Sequence, residues 1–456
     1  MNVSRRDILV GATAATLGSA VRGQEASDHA AHTAQAGAGG SRPADAYASA
    51  ARNSPATTES LPRRTPITTL NGRSLSWRMV DDVKEFHLIA EEIEHEFAPG
   101  SRIKAWGYNG STPGPTIEAV EGDQVRILVT NRLPEPTTIH WHGILLPCGM
   151  DGVGGLTQPH IQPGETWAYE FTLRQHGTHM YHPHADEMVQ MALGMMGLLI
   201  IHPRAPSTAR VDRDFALLLH NWAVHPGTYR PDPAVMTEFD LWTFNSKVFP
   251  AIDPLVVRTG QRVRIRIANL SMHEHPMHLH GYQFQVTGGD GGRWPRAAWR
   301  TEVTELVGVG QTRDIEFTAT EPGDWAFHCH KSHHTMNAMG HELPNAIGVN
   351  QAGIAQRLDD LLPGGYMVMG GNGMAEHQNH AAQMPGPENT LPMMGGVGPF
   401  GNLEMGGMFT VVKVRDRVPA GYADPGWYQH PPGTQARRVE SRQDAAPHTG
   451  PAHDHG

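Results

Sequence analysis

Two cysteines in 456 residues, Cys148 and Cys329, are too few for a disulfide-stapled scaffold. No stretch of 18 or more apolar residues occurs, so no transmembrane helix is expected. Positive charge is scarce as well: 36 Lys and Arg against 46 Asp and Glu leave a formal charge of −10, the opposite of the basic footprint of a nucleic-acid binder. Charged residues make up only 18% of the chain, while 51 glycines and 35 prolines make up about a fifth. That balance excludes a helical coiled coil and favours loop-rich β domains. What the chain has in excess is histidine, 29 in all.

The two ends read as segments outside the fold. Ser4, Arg5 and Arg6 precede a modest apolar stretch from Ile8 to Val21, the pattern of a twin-arginine export signal. Residues 1–23 are therefore expected to direct export to the periplasm or beyond. Residues 24–66 are rich in Ala, Ser, Gly and Thr without periodicity and read as a disordered linker, as does the polar tail at 433–456.

Between them lies an internal repeat. Gly122-Asp-Gln-Val-Arg-Ile-Leu-Val-Thr-Asn131 matches Gly260-Gln-Arg-Val-Arg-Ile-Arg-Ile-Ala-Asn269 at an offset of 138, and the same offset carries His140-Trp141-His142-Gly143 onto His278-Leu279-His280-Gly281. At an offset of 146, His182-Pro183-His184 maps onto His328-Cys329-His330. Both decads alternate apolar with polar residues as half-buried strands do. Two homologous β domains are expected at 67–205 and 206–345, with no room for a third between them.

A strand sends residues i and i+2 to one face and i+1 to the other. Each His-x-His therefore aims two imidazoles the same way, and four pairs offer eight: His140, His142, His182, His184, His278, His280, His328 and His330. Imidazole is the commonest metal ligand, and four pairs at matching repeat positions point to a multi-metal site. Cys329 must then face into its own domain. With His275, His334 and Met339 it makes two imidazoles, a thiolate and a thioether, the set of a blue-copper electron-transfer site with a weak axial Met. The first repeat carries Thr137, Pro183, Met188 and Leu193 at the equivalent positions, so it has no such site.

The motifs HWHG at 140–143, HPH at 182–184, HPMHLHG at 275–281 and HCHKSHHTMNAM at 328–339 make the chain similar to the multicopper oxidases, which include laccases and copper-resistance oxidases. It looks most like the two-domain bacterial class whose type 1 copper sits in the second domain. The resemblance implies an all-β fold of two consecutive cupredoxin-like Greek-key sandwich domains, followed by a Met-rich extension at 346–432. It implies four coppers per chain: type 1 on His275, Cys329, His334 and Met339; type 2 on His140 and His278; and a type 3 pair on His142, His182, His184, His280, His328 and His330. The implied reaction takes single electrons from a phenol or Cu(I), passes them through Cys329 to His328 and His330, and reduces O2 to water. It also implies a homotrimer whose clusters lie between chains, because the middle domain that serves as a spacer in longer relatives is missing.

Asp151, nine residues after His142, is the candidate proton relay, with Asp186 and Glu187 as alternatives; as a bland reading Asp151 is a turn residue before Gly152. Eight methionines between 366 and 408 read either as a Cu(I)-collecting surface, consistent with copper resistance, or as filler for irregular loops. Cys148 is assigned no function. Two other functions stay open: a two-domain copper nitrite reductase, which would leave several of the eight imidazoles unused, and a non-enzymatic copper store, which would not explain a cysteine flanked by cluster ligands.

Overall fold

The structure, a computed structural model, describes residues 64–205, 210–335, 353–361, 388–391 and 395–438. The export signal, nearly all of the linker, Met339, six of the eight methionines and most of the tail lie outside these residues.

The all-β expectation holds. Helix among the described residues is limited to Glu187–Ala192, Ile354–Leu361 and single 3-10 turns. Each repeat folds as two facing sheets. In the first, the strands Trp77–Val80, Val83–Ala98, Gln124–Asn131 and Thr166–Thr172 form one sheet. Gly114–Val120, Gly197–His202, Gly177–His182 and His140–His142 form the other. In the second, Arg213–Trp222, Arg262–Asn269, Thr312–Thr318 and Phe284–Gly289 face a sheet ordered Leu255–Arg258, Phe409–Arg415, Gly323–Cys329, His275–Leu279 and Thr304–Val307. The strand Phe409–Arg415 lies between Leu255–Arg258 and Gly323–Cys329. Ile67–Thr69 crosses to the second repeat and pairs parallel with Arg213–Trp222.

Apolar side chains at alternate positions fill each sandwich. The first core holds Phe86, Ile127, Trp141 and Tyr181, and the second Phe215, Ile265, Phe327 and Val412. A third apolar layer joins the repeats, with Ile103, Leu198 and Ile200 of the first against Leu218, Trp222 and Leu241 of the second. A buried polar knot also ties them. Thr178 Oγ1 donates to Asp314 (2.7 Å) and accepts from Arg266 Nη1 (2.9 Å), while Arg266 also pairs with Asp214. Arg266, Asp214 and Asp314 are all buried, and Arg266 lies between the two carboxylates, so removing it would take the buried counter-charge from Asp314.

The repeat persists in side-chain detail. Asn131 and Asn269 end equivalent strands. Each accepts from a backbone N–H two residues on, and each donates to the carbonyl four residues on and to a second, distant carbonyl. These amides brace the loops that lead into His140–His142 and His275–Leu279. Upstream, Asn109 and Asn245 both adopt left-handed backbone, which asparagine tolerates, and both bond back to a neighbouring strand.

Candidate metal centres

The deepest constellation is in the second repeat. His275 opens one strand and Cys329 closes its neighbour, in a register that places Met277 opposite Cys329. His334 follows on a 3-10 turn whose carbonyl accepts from Met408 N–H. Cys329 Sγ lies 3.6 Å from His275 Nδ1 and 3.4 Å from His334 Nδ1, and the two nitrogens are 3.1 Å apart. All three residues are buried.

The donor chemistry suits a soft cation. His275 Nε2 is 2.7 Å from Ser271 Oγ, whose own proton has acceptors at 2.7 Å in Asn269 Oδ1 and the His273 carbonyl. The imidazole therefore donates from Nε2 and leaves Nδ1 as a bare lone pair aimed at the thiol. Desolvation holds His275 down at about 3 and His334 at about 2, and pushes the Cys329 thiol up to about 12. Without a cation the set is neutral, and a bound soft cation would favour the thiolate. The His334 ring is held by stacking. Trp242 lies on one side (4.8 Å, 18°) and His273 stacks at 5.4 Å (3°), while Nε2 has no hydrogen bond. Sequence reasoning missed Ser271, Trp242 and His273; the only signal was their nearness to the repeat's asparagines.

The first imidazole set forms where His140–His142 pairs antiparallel with Gly177–His182, His140 opposite His182. Trp141 turns the other way, into the core, as alternation requires. One ligand nitrogen from each of His140, His142 and His182 lies within a 4.8 Å group, and His142 Nδ1 is 3.2 Å from His182 Nε2. His184 completes the set with its ring 5.8 Å from that of His140. Burial lowers His142, and lowers His182 to about 3. Two carboxylates attend these rings. His140 Nδ1 donates to the Asp151 carbonyl at 2.8 Å, with Asp151 Oδ1 at 3.4 Å. Glu187 reaches 3.6 Å from His182 Nδ1 and 3.7 Å from His184 Nε2. Asp186 precedes the short helix in left-handed backbone and is exposed.

The second set repeats the pattern, with His278 opposite His328. His278 Nδ1 donates to the Val303 carbonyl at 2.7 Å, and His328 Nδ1 to that of Cys329 at 2.7 Å. These bonds turn the opposite nitrogens outward, as carbonyl partners do for metal-ligating imidazoles. His280 and His330 are exposed. Among the described residues, no hydrogen bond or ring contact joins the first four imidazoles to the second four. Exposed apolar side chains adjoin both sets in the chain or the sheet: Leu145, three residues after His142, and Val303 and Leu306, on the strand region that pairs with His275–Leu279.

Family models for multicopper oxidases match residues 90–206 and 226–348, together more than half of the chain. The chain belongs to the multicopper oxidase family. Copper resistance protein A of Escherichia coli is 43% identical over 123 residues, which cover 27% of this chain and 20% of that protein. The chain thus spans about a fifth of the length of that curated relative. A probable nitrite reductase-hydroxylamine oxidoreductase fusion protein of Kuenenia stuttgartiensis is 27% identical over 275 residues, covering 57% of this chain and 31% of the relative. Among solved structures, a blue copper oxidase from Nitrosomonas europaea is 27% identical with a TM-score of 0.54, over 72% of this chain and 85% of that one. Family membership implies copper as the metal.

Proposed function

We propose that the protein is a copper-dependent oxidase that takes single electrons from a phenol or Cu(I) and reduces dioxygen to water. One observation carries this reading. Cys329 of the buried His275–Cys329–His334 set is the covalent neighbour of both His328 and His330, so a single covalent segment links an electron-entry site to an imidazole cluster. Copper supplies the one-electron couple and the site of dioxygen reduction. His275, Cys329 and His334 would hold the type 1 ion, with the Met339 thioether as a fourth ligand. His140 and His278 would hold the type 2 ion, and His142, His182, His184, His280, His328 and His330 the type 3 pair, four ions per chain. Asp151 delivers protons beside His140, and Glu187 is its competitor beside His182 and His184.

In the same reading, residues 67–205 and 206–345 are the two domains, 346–432 is the extension, and the chain is exported by the twin-arginine route to the periplasm. The separation of the two imidazole sets and the exposure of His280 and His330 support a homotrimer. Each cluster would form between the first domain of one chain and the second domain of its neighbour, since head-to-tail contacts close into rings. Light scattering of the copper-loaded protein tests this, and a fully active monomer would contradict it.

Oxygen uptake is the test of activity. Four donor equivalents consumed per dioxygen, without released peroxide, is the expected result. The relative named as a nitrite reductase fusion supports a second reading, in which nitrite is consumed without oxygen. Nitrite reduction with no oxygen uptake would replace the first reading with the second.

A further inference from the structure

The extension is tied down at two places before it enters the strand Phe409–Arg415. Residues 388–391 form the first. Asn389 Nδ2 donates to the carbonyls of Arg102 (2.8 Å) and Thr228 (2.6 Å), its Oδ1 accepts from Arg102 N–H (2.8 Å), and Leu391 is buried in the apolar layer that joins the repeats. Residues 395–408 form the second. A small hairpin, Gly396–Gly398 with Gly401–Leu403, closes where Gly395 N–H donates to the Leu403 carbonyl at 2.8 Å. Residues 406–408 then leave the hairpin and bond to the electron-entry set. Gly406 and Gly407 N–H both donate to the Thr335 carbonyl (2.7 and 3.1 Å), and Met408 N–H donates to the His334 carbonyl (2.9 Å). The Met408 carbonyl accepts from Cys329 N–H at 3.1 Å, and that of Gly407 from Phe249 N–H at 3.1 Å. Three successive residues thus hold both the strand end that carries Cys329 and the 3-10 turn that carries His334. Within the turn, His334 N–H returns to the Lys331 carbonyl and Thr335 Oγ1 to that of Ser332, bonds that close the turn on itself but do not fix it to the sandwich. Among the described residues, the backbone bonds that do fix it come from residues 406–408.

We propose that residues 406–408 are positioning residues for the electron-entry site, whose backbone holds His334 and Cys329 at ligand spacing before copper binds. His275 and Cys329 lie on paired strands, whereas His334 lies on a turn, so it is the donor that most needs an outside brace. Donors kept within about 0.5 Å of the bound geometry need little reordering when the ion arrives. The hairpin sets where the brace lies. Gly395 is packed so closely that a Cβ there would stand 1.9 Å from the Met405 carbonyl oxygen and 2.8 Å from Gly406 Cα. Both contacts are backbone, so any side chain at 395 must part the hairpin base and move residue 406. The return leg of the extension is therefore a working part of the site. The inference rests on the electron-entry reading above.

The two cysteines provide the readout, because Cys148 is exposed and Cys329 is buried. In copper-free full-length protein, dithionitrobenzoate should react with Cys148 at once and with Cys329 only when the brace opens locally. Gly406→Pro removes the shorter bond to Thr335, since proline has no N–H. Gly395→Ala displaces the brace from a distance and serves if the proline variant does not fold. Either is expected to raise the Cys329 rate by about tenfold, the order of one lost backbone hydrogen bond, with the Cys148 rate and the urea midpoint unchanged. In the copper-loaded protein, the blue thiolate-to-copper band should shift and should fade at about tenfold lower chelator while the cluster coppers stay. Val397→Ser, at an exposed position of the same hairpin, should change none of these values. A Cys329 rate at the wild-type value in the folded variant overturns the proposal. So does a rate that rises only in step with a falling urea midpoint, which would make residues 406–408 an ordinary part of the sandwich. A copper-loaded wild type without the blue band would instead remove the electron-entry reading, and the thiol rates alone would then decide whether the brace exists.

Discussion

Replacing Ser271 by Ala should loosen the proposed type 1 site without touching a ligand. His275 is fully buried, and among the described residues its Nε2–H has the Ser271 hydroxyl as its acceptor, at 2.7 Å. That bond fixes the tautomer that presents Nδ1 to the thiol. In Ser271→Ala the copper-free ring is free to move its proton to Nδ1 and bond to His334 Nδ1, 3.1 Å away. Copper must then reverse the tautomer and leave Nε2–H buried without a partner, a cost of about 1–3 kcal/mol. At about 1.4 kcal/mol per decade this predicts roughly tenfold to hundredfold weaker type 1 affinity, the range seen when partners of metal-bound histidines are removed. The assay is a chelator titration of the loaded protein, following the blue thiolate-to-copper band together with copper retained per chain. The band should fade at lower chelator in the variant while the cluster coppers stay. Affinity within about threefold of wild type would show that Ser271 does not set the tautomer, against the magnitude expected from the lost bond.

Asp151→Asn should leave copper bound and donor oxidation fast but slow oxygen reduction by about 100-fold, the usual scale of general acid assistance. If Glu187→Gln produces that loss instead, the relay lies beside His182 and His184. Met339→Leu should keep the blue band and raise the type 1 potential, because a thioether donates to Cu(II); an unchanged potential in redox titration would remove Met339 from the site. The copper-free chain should lose stability in acid. Burial lowers His182 and His275 to about 3 and His179 and His220 to about 4, so below the unfolded value near 6.5 the unfolded chain binds more protons than the folded one. The contribution is complete above about pH 6.5 and drains away as pH falls toward 4. Urea midpoints should therefore drop between pH 7 and pH 5, and a flat or rising profile would contradict the burial argument.

Strand alternation and the repeat make the faces of the His-x-His pairs legible in the sequence. His140 and His142 point together while Trp141 packs inward, and Cys329 turns away from His328 and His330 as the period of two demands. The matching Asn131 and Asn269 amides show why the offset of 138 holds through the strand ends. What alternation cannot encode is contact between distant segments. Ser271, Trp242 and His273 meet His275 and His334 only after the loops fold, and Glu187 reaches two imidazoles only because a short helix follows His184. The placement of Phe409–Arg415 beside Gly323–Cys329, across about 80 intervening residues, is of the same kind; its alternation specifies a strand but no partner.

The central claim is that Cys329 is the electron-entry ligand, distinct from an imidazole cluster beside it. Copper per chain, measured with the visible spectrum on wild type and Cys329→Ser, tests it directly. Wild type should bind four coppers and be blue. The variant should keep the three cluster coppers, lose the thiolate-to-copper band and lose turnover with every donor. A colourless wild type, or a Cys329→Ser protein that still consumes oxygen at the wild-type rate, would contradict the account.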